Sequence, residues 1–249
     1  MPERLDAYLV ASGKYHDIDF ARLELLKLLG EHEHVRVEVA TDFHDLDAIR
    51  ASRFLVTYTC DVCPSSDEQE ALTRFVEEGG RWLALHGTNS VLKFTADGVA
   101  APRTIDRLAH TLGSQFIAHP PIAPFRVEVV APDHPLVQGI DDFDTEDELY
   151  LSIYPDPDAL MPLLETRYTG KADGFVESDW THADRHPVMY LRPLGRGAVL
   201  YNTLGHCRGH YDMRPVMDYY PQVERCSWEL PQYYELLRRG IAWCLEASS

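Results

Sequence analysis

Apolar and polar positions along the chain fall into two alternating rhythms. Residues 4–13, "RLDAYLVASG", form a strand-like apolar run closed by glycine, and "DIDFARLELLKLLGEH" at 17–32 places Phe20, Leu23, Leu26 and Leu29 at helical spacing. Residues 35–42 alternate like a half-buried strand. Residues 53–60, "RFLVTYTC", are continuously apolar, as strands buried inside a parallel sheet are. "SSDEQEALTRFVEEGG" then predicts a helix, with a capping box from Ser65 and Glu68 or from Ser66 and Gln69, stopped by Gly79–Gly80. "RWLALHG" is the next buried strand. Short connections between such elements imply a doubly wound α/β sheet, mostly parallel, with helices on both faces.

The second half changes rhythm. Strands are expected at 125–133, 148–154, 161–170, 186–195 and 197–206, joined by Pro, Gly and Asp turns. "LGRG" supplies a hairpin, so these extra strands include antiparallel ones. A closing helix at 230–247 carries a stripe through Tyr234, Leu237, Ile241 and Leu245. The pattern shows no linker, repeat or low-complexity segment, and a single domain over 1–249 is the expectation.

Composition narrows the partners. The 249 residues carry 23 basic and 40 acidic side chains, a net charge of −17 that repels phosphate backbones and anionic lipid. Nucleic acid and membrane are therefore not expected as partners; no nucleotide cofactor is expected, and self-association into a homo-oligomer stays open. The N-terminal "MPERLDAYLV" lacks the charged and apolar blocks of a secretory signal, and the five cysteines are an odd number. Free thiols in a reducing cytoplasm are the expectation.

Candidate chemistry collects where strands end, the edge at which open α/β sheets bind ligands. The first strand leads to His16 and Asp17, the third to Cys60, Asp61 and Cys63, the fourth to His86, and the late strand to His206 with His210 beyond. His119, in "SQFIAHPP", lies between the halves and can fold over the same edge. Other histidines have plainer readings. His32, His34 and His44 sit among acidic surface residues, His110 rides a helix, and His134 and His186 precede prolines in turns. "CDVC" lacks the second pair a structural zinc site needs, although a helix start after Cys63 would favour a thiolate. In the acidic run 141–150, strand alternation would put Asp147, Leu149 and Leu151 on one face and Glu146, Glu148 and Tyr150 on the other.

The ordered set "YHD" (15–17), 65–87, "LGSQFIAHPP" (112–121), 125–150 and 186–206 resembles the trehalose-utilisation (ThuA-like) family of the class I glutamine amidotransferase-like superfamily. That resemblance spans most of the chain and implies a flavodoxin-like sheet. It places His86 at the elbow where an amidotransferase carries its catalytic cysteine, and it matches His206 to the segment delivering the catalytic histidine. An imidazole there cannot form the thioester that glutamine hydrolysis requires, so glutaminase activity is not expected. The resemblance implies instead an enzyme acting on a sugar or keto-sugar by histidine acid/base or metal-assisted chemistry. Its expected catalytic residues are His86, His206 and Glu148, with Asp147 the alternative carboxylate. His16, Asp17, Tyr58, Asn202 and Tyr211 would contact substrate. His86, His119 and His206 would hold a divalent zinc, manganese or iron ion. Two alternatives stand beside it: a non-catalytic sugar-binding or regulatory module using Tyr58, Trp180 and Tyr211, and a hydrolase using Cys60 or Cys63 activated by His206. The tail 210–228 is either a lid or a packing segment.

Overall fold

The computed structural model describes residues 4–246. Its first half runs β1 (Leu5–Gly13), α1 (Ile18–Leu29), β2 (Val35–Ala40), α2 (Leu46–Ala51), β3 (Phe54–Cys60), α3 (Ser66–Glu77) and β4 (Arg81–Leu85). A small hairpin, β5 (Lys93–Thr95) and β6 (Gly98–Ala100), precedes α4 (Asp106–Leu112) and β7 (Gln115–Ala118). Then come β8 (Ala123–Val129), β9 (Phe143–Asp147), β10 (Leu151–Ile153), β11 (Met161–Arg167), β12 (Arg185–Leu194), β13 (Gly197–Asn202) and α5 (Pro231–Leu245).

Nine strands form one sheet in the order β2-β1-β3-β4-β13-β12-β11-β8-β9. Pairing is parallel from β2 through β13 and antiparallel from β13 to β9. The parallel part has the flavodoxin-like order, reversing beside β1, with every residue of β3 buried at its centre. Two apolar layers sandwich it. Leu25, Leu28 and Leu29 of α1 join Leu236, Leu237 and Ile241 of α5 on one face, and Ile49, Leu72, Phe75 and Leu108 bring α2, α3 and α4 to the other. The Ser65–Glu68 capping box forms as expected. Among the described residues, no helix is long and apolar enough to cross a membrane.

Some elements depart from the sequence pattern. Helix α2 has no counterpart there, because six residues are too few to show a period; the Asp45 carboxylate, accepting from the Ala48 N–H, starts it. The expected strand over 148–154 does not run through. β9 ends at Asp147, and the chain resumes as β10, which pairs with β7 in a separate two-stranded sheet. Asp147, Glu148, Leu149 and Tyr150 are all buried, so the anticipated two-face alternation fails. β13 stops at Asn202, leaving residues 203–206 as a loop. The buried stripe of α5 runs through Tyr233, Leu237, Ile241 and Cys244, turned from the one expected because Tyr234 and Leu245 are only half-buried. Position 247 of that expected helix lies outside the described residues.

Candidate functional site

The sheet's carboxyl edge is built from tight turns. β4 ends at Leu85, and His86 opens a single turn of 3-10 helix, His86–Asn89, with φ +44°, a conformation rare for residues other than glycine. Tyr201, one strand over, locks that turn. Its hydroxyl donates to the His86 carbonyl at 2.5 Å and accepts the Asn89 N–H at 3.0 Å. Gly87 is required next, since a Cβ there would stand 2.6 Å from the Thr59 carbonyl oxygen. Tyr15 after β1 and Asp61 after β3 also take positive φ, so three neighbouring strand ends store strain beside one another.

These turns bring three imidazoles and a carboxylate together. His16 Nε2 lies 2.8 Å from His86 Nε2, and Glu148 Oε2 is 3.8 Å from the first and 3.6 Å from the second. His206 Nδ1 is 3.2 Å from Glu148 Oε1. One donor atom from each of His16, His86, Glu148 and His206 falls within 4.8 Å of the others, a group with the reach of a metal's ligand set. All four side chains are buried. Burial pushes the His16 pKa down to about 3. Burial also opposes charge on His206, but Glu148 and Glu224 outweigh it and lift that ring to about 9. For Glu148, burial favours the neutral acid, yet the His119, His206 and His16 rings hold the carboxyl well below its usual range.

A second layer fixes the first. The Asp147 carboxylate accepts backbone N–H groups from Glu148 (2.8 Å), Gly205 (2.9 Å), His206 (3.0 Å) and Ser227 (3.3 Å), pinning the loop that presents His206 to β9. Tyr58 and Trp228 both donate to the Gly205 carbonyl at 2.8 Å and hold the same loop from beneath. Gly205 has φ +106°, and a Cβ on it would overlap the Tyr233 hydroxyl at 2.0 Å. Arg208 donates to Glu148 at 3.3 Å and to Glu224 at 3.0 Å, while the Tyr150 hydroxyl donates to His86 Nε2 at 3.2 Å. Sequence reasoning missed Arg208 and Glu224, and it set Tyr150 on the face of Glu148 without giving it a role. The only available signals were that Arg208 follows His206 by two and that Tyr150 follows Glu148 by two.

Glu148 and Arg208 line a cleft of about 750 Å3, walled also by His119, Glu146, Tyr220 and Glu224. His119 stands at its rim, a quarter exposed, with Nε2 3.6 Å from Glu148 and Nδ1–H donated to the Pro120 carbonyl. It falls outside the tight four-residue group, which takes in His16 instead. Other expected contacts lie elsewhere. Tyr58 is buried with its hydroxyl engaged, and so is Asn202, whose side-chain oxygen accepts the Leu204 N–H; neither presents a face to the cleft. Asp17 caps α1 and pairs with Arg225 at 2.9 Å. Tyr211 is exposed beside a separate depression of about 380 Å3 that His16 reaches from its other side. Trp180 is buried, its indole N–H bonded to the Glu177 carbonyl. His186 is buried, as a structural histidine would be, while His44 pairs with Glu68 at the surface.

The cysteines do not assemble a nucleophile. Cys60 is buried, which pushes its thiol well up, and Cys63 is exposed with its nearest polar partner Thr104 at 3.7 Å. Among the described residues, neither thiol hydrogen-bonds an imidazole, and all five cysteines are unpaired.

No curated protein sequence matches the chain. Among solved structures, a protein described as ThuA-like from Bacteroides uniformis aligns with a TM-score of 0.68 at 18% identity, over 98% of this chain and 92% of that one. Another described as ThuA-like, from Parabacteroides merdae, gives 0.64 at 13% identity, over 97% and 90%. A protein described as a GMP synthase subunit, from Thermoplasma acidophilum, gives 0.52 at 11%, over 98% and 96%, and so shares the fold alone. The sequence itself carries the assignment further: the trehalose-utilisation profile matches residues 8–220, and the chain belongs to the ThuA family.

Proposed function

We propose that this protein is a carbohydrate-metabolism enzyme acting on a sugar or keto-sugar at the His16–His86–His206–Glu148 cluster. The supporting observation is the position of that cluster. Buried imidazole nitrogens and one carboxylate meet at the carboxyl edge of the parallel sheet, and Glu148 with His119 opens onto a cleft large enough for a mono- or disaccharide. An imidazole or a carboxylate can accept and return a proton, and a carbonyl sugar has an acidic C–H beside its carbonyl for a base to remove. In this reading His119, at the rim, meets the substrate first, Arg208 orients Glu148, and Asp147 holds His206 in place. Glutamine hydrolysis is disfavoured because the elbow carries an imidazole with no thiol in hydrogen-bond contact.

The test is incubation with trehalose, glucose and their keto derivatives in D2O, followed by NMR. Turnover, or deuterium entering beside the carbonyl, is expected for wild type and is lost in Glu148→Gln and His206→Ala. Absence of both, with sugar binding unchanged by those substitutions, overturns the enzyme reading in favour of a binding module.

A further inference from the structure

The hydrogen bonds on the far side of each ring decide what its inner nitrogen carries. His16 Nδ1 lies 3.1 Å from the Lys14 carbonyl oxygen, and His86 Nδ1 lies 2.8 Å from the Thr203 carbonyl oxygen. A carbonyl oxygen only accepts, so both Nδ1 atoms hold the proton and both Nε2 atoms present lone pairs. Those lone pairs face each other at 2.8 Å. The same logic applies to His206, whose Nε2–H donates to the Glu224 carboxylate at 2.9 Å, leaving Nδ1 buried 3.2 Å from Glu148 Oε1 without a well-aligned hydrogen bond. Three imidazole lone pairs and one carboxylate therefore converge on one point. Of the two opposed rings the Tyr150 hydroxyl meets His86 alone, and Arg208 donates to the Glu148 and Glu224 carboxylates and to neither ring, so His16 Nε2 keeps its lone pair against His86.

From this convergence we infer that His16 Nε2, His86 Nε2, His206 Nδ1 and Glu148 bind one divalent transition-metal ion, of the zinc or iron(II) class. Nitrogen-to-metal bonds of about 2.0–2.1 Å in tetrahedral geometry separate ligand atoms by about 3.3 Å. The His16 and His86 nitrogens stand 2.8 Å apart and 3.8 and 3.6 Å from Glu148 Oε2, His206 Nδ1 is 3.2 Å from Glu148 Oε1, and one donor from each residue lies within 4.8 Å of the others, so rotation of these side chains brings all four onto one ion. A majority of neutral imidazoles selects against magnesium and calcium, which take oxygen ligands. Glu224 acts as a positioning residue: by accepting a hydrogen bond from His206 Nε2–H it aims Nδ1 at the metal. His119 is not a ligand.

This inference rests on the cluster being the active centre, but its test needs no sugar. Wild type stripped with chelator is titrated with Zn2+ against a chromophoric competitor, and with Co2+ while the visible spectrum is recorded. One high-affinity equivalent per chain is expected, with intense four-coordinate cobalt bands. His16→Ala, His86→Ala and His206→Ala should each weaken zinc at least 100-fold. Glu224→Gln should weaken it about 10–100-fold with its circular dichroism unchanged. Glu224→Asp should recover part of the loss, and His119→Ala should bind like wild type. The inference is overturned if stripped wild type binds zinc no better than the triply substituted His16/His86/His206→Ala protein, or if folded Glu224→Gln and His206→Ala retain full affinity and the same cobalt spectrum. Sugar turnover without metal binding would sink this inference alone and leave the proposed function standing.

Discussion

Asp147 offers a sharp test of how the site is held. It lies next to Glu148 and is fully buried, yet its carboxylate meets backbone N–H groups and not the imidazoles. Asp147→Asn keeps size and shape and changes one oxygen to an amide NH2. The oxygen that accepts from Glu148 and His206 survives, but the one that accepts from Gly205 at 2.9 Å and Ser227 at 3.3 Å becomes a donor facing donors. Hydrogen bonds to a charged group contribute roughly 1.5–3 kcal/mol each, and a buried donor left unmade costs a similar amount. Losing two should destabilise the fold by about 3–5 kcal/mol, a large share of the roughly 5–15 kcal/mol typical of a native protein. For a chain of this size that lowers Tm by roughly 6–20 °C. Urea unfolding followed by tryptophan fluorescence reads the stability, and zinc titration of the variant at low temperature reads the loop. A freed 203–206 loop should also weaken zinc, because the displaced backbone is that of His206. If Asp147→Asn melts within about 2 °C of wild type, the account of Asp147 as the anchor of that loop is wrong.

Other outcomes follow from the same geometry. Gly87→Ala forces a methyl to 2.6 Å from the Thr59 carbonyl oxygen, so a loss of about 1–3 kcal/mol in urea unfolding is expected, and an unchanged midpoint would show the elbow less tightly packed. Ser65→Ala removes one half of the α3 capping box and should cost about 1 kcal/mol in the same assay. Iodoacetamide on native protein should label Cys63 and spare Cys60, Cys207 and Cys244 until denaturant is added. Mass mapping of early labelling at Cys60 would contradict its burial. Burial lowers the His186 pKa, so the unfolded chain takes up that proton first as pH falls below about 6.5, and stability declines there. His186→Gln should therefore lose less stability than wild type between pH 7.5 and 5.5, and an equal loss in both would discount this histidine.

What the sequence determined by itself was the sheet's parallel half and the edge where chemistry would gather. Continuous apolar runs such as 53–60, the Ser65 cap and the glycine stops are local signals, set by period and backbone preference, so they survive without knowledge of neighbours. The resemblance to ThuA-like proteins added the elbow at His86. Tertiary structure decided the rest, because it depends on contacts between residues far apart in sequence. Only packing shows that His16, 70 residues from His86, stands 2.8 Å from it, while His119 remains at the rim. Only packing separates two adjacent acids, Asp147 turned to backbone amides and Glu148 turned to the imidazoles, where strand alternation had suggested opposite faces of one continuous strand. Tyr58 and Asn202 read as contact residues by position, but burial engages them beneath the loop instead. Periodicity says which way a side chain points along its own element. It says nothing of which acceptor waits behind each imidazole, and those acceptors, Lys14, Thr203 and Glu224, turn three histidines into a set of converging lone pairs.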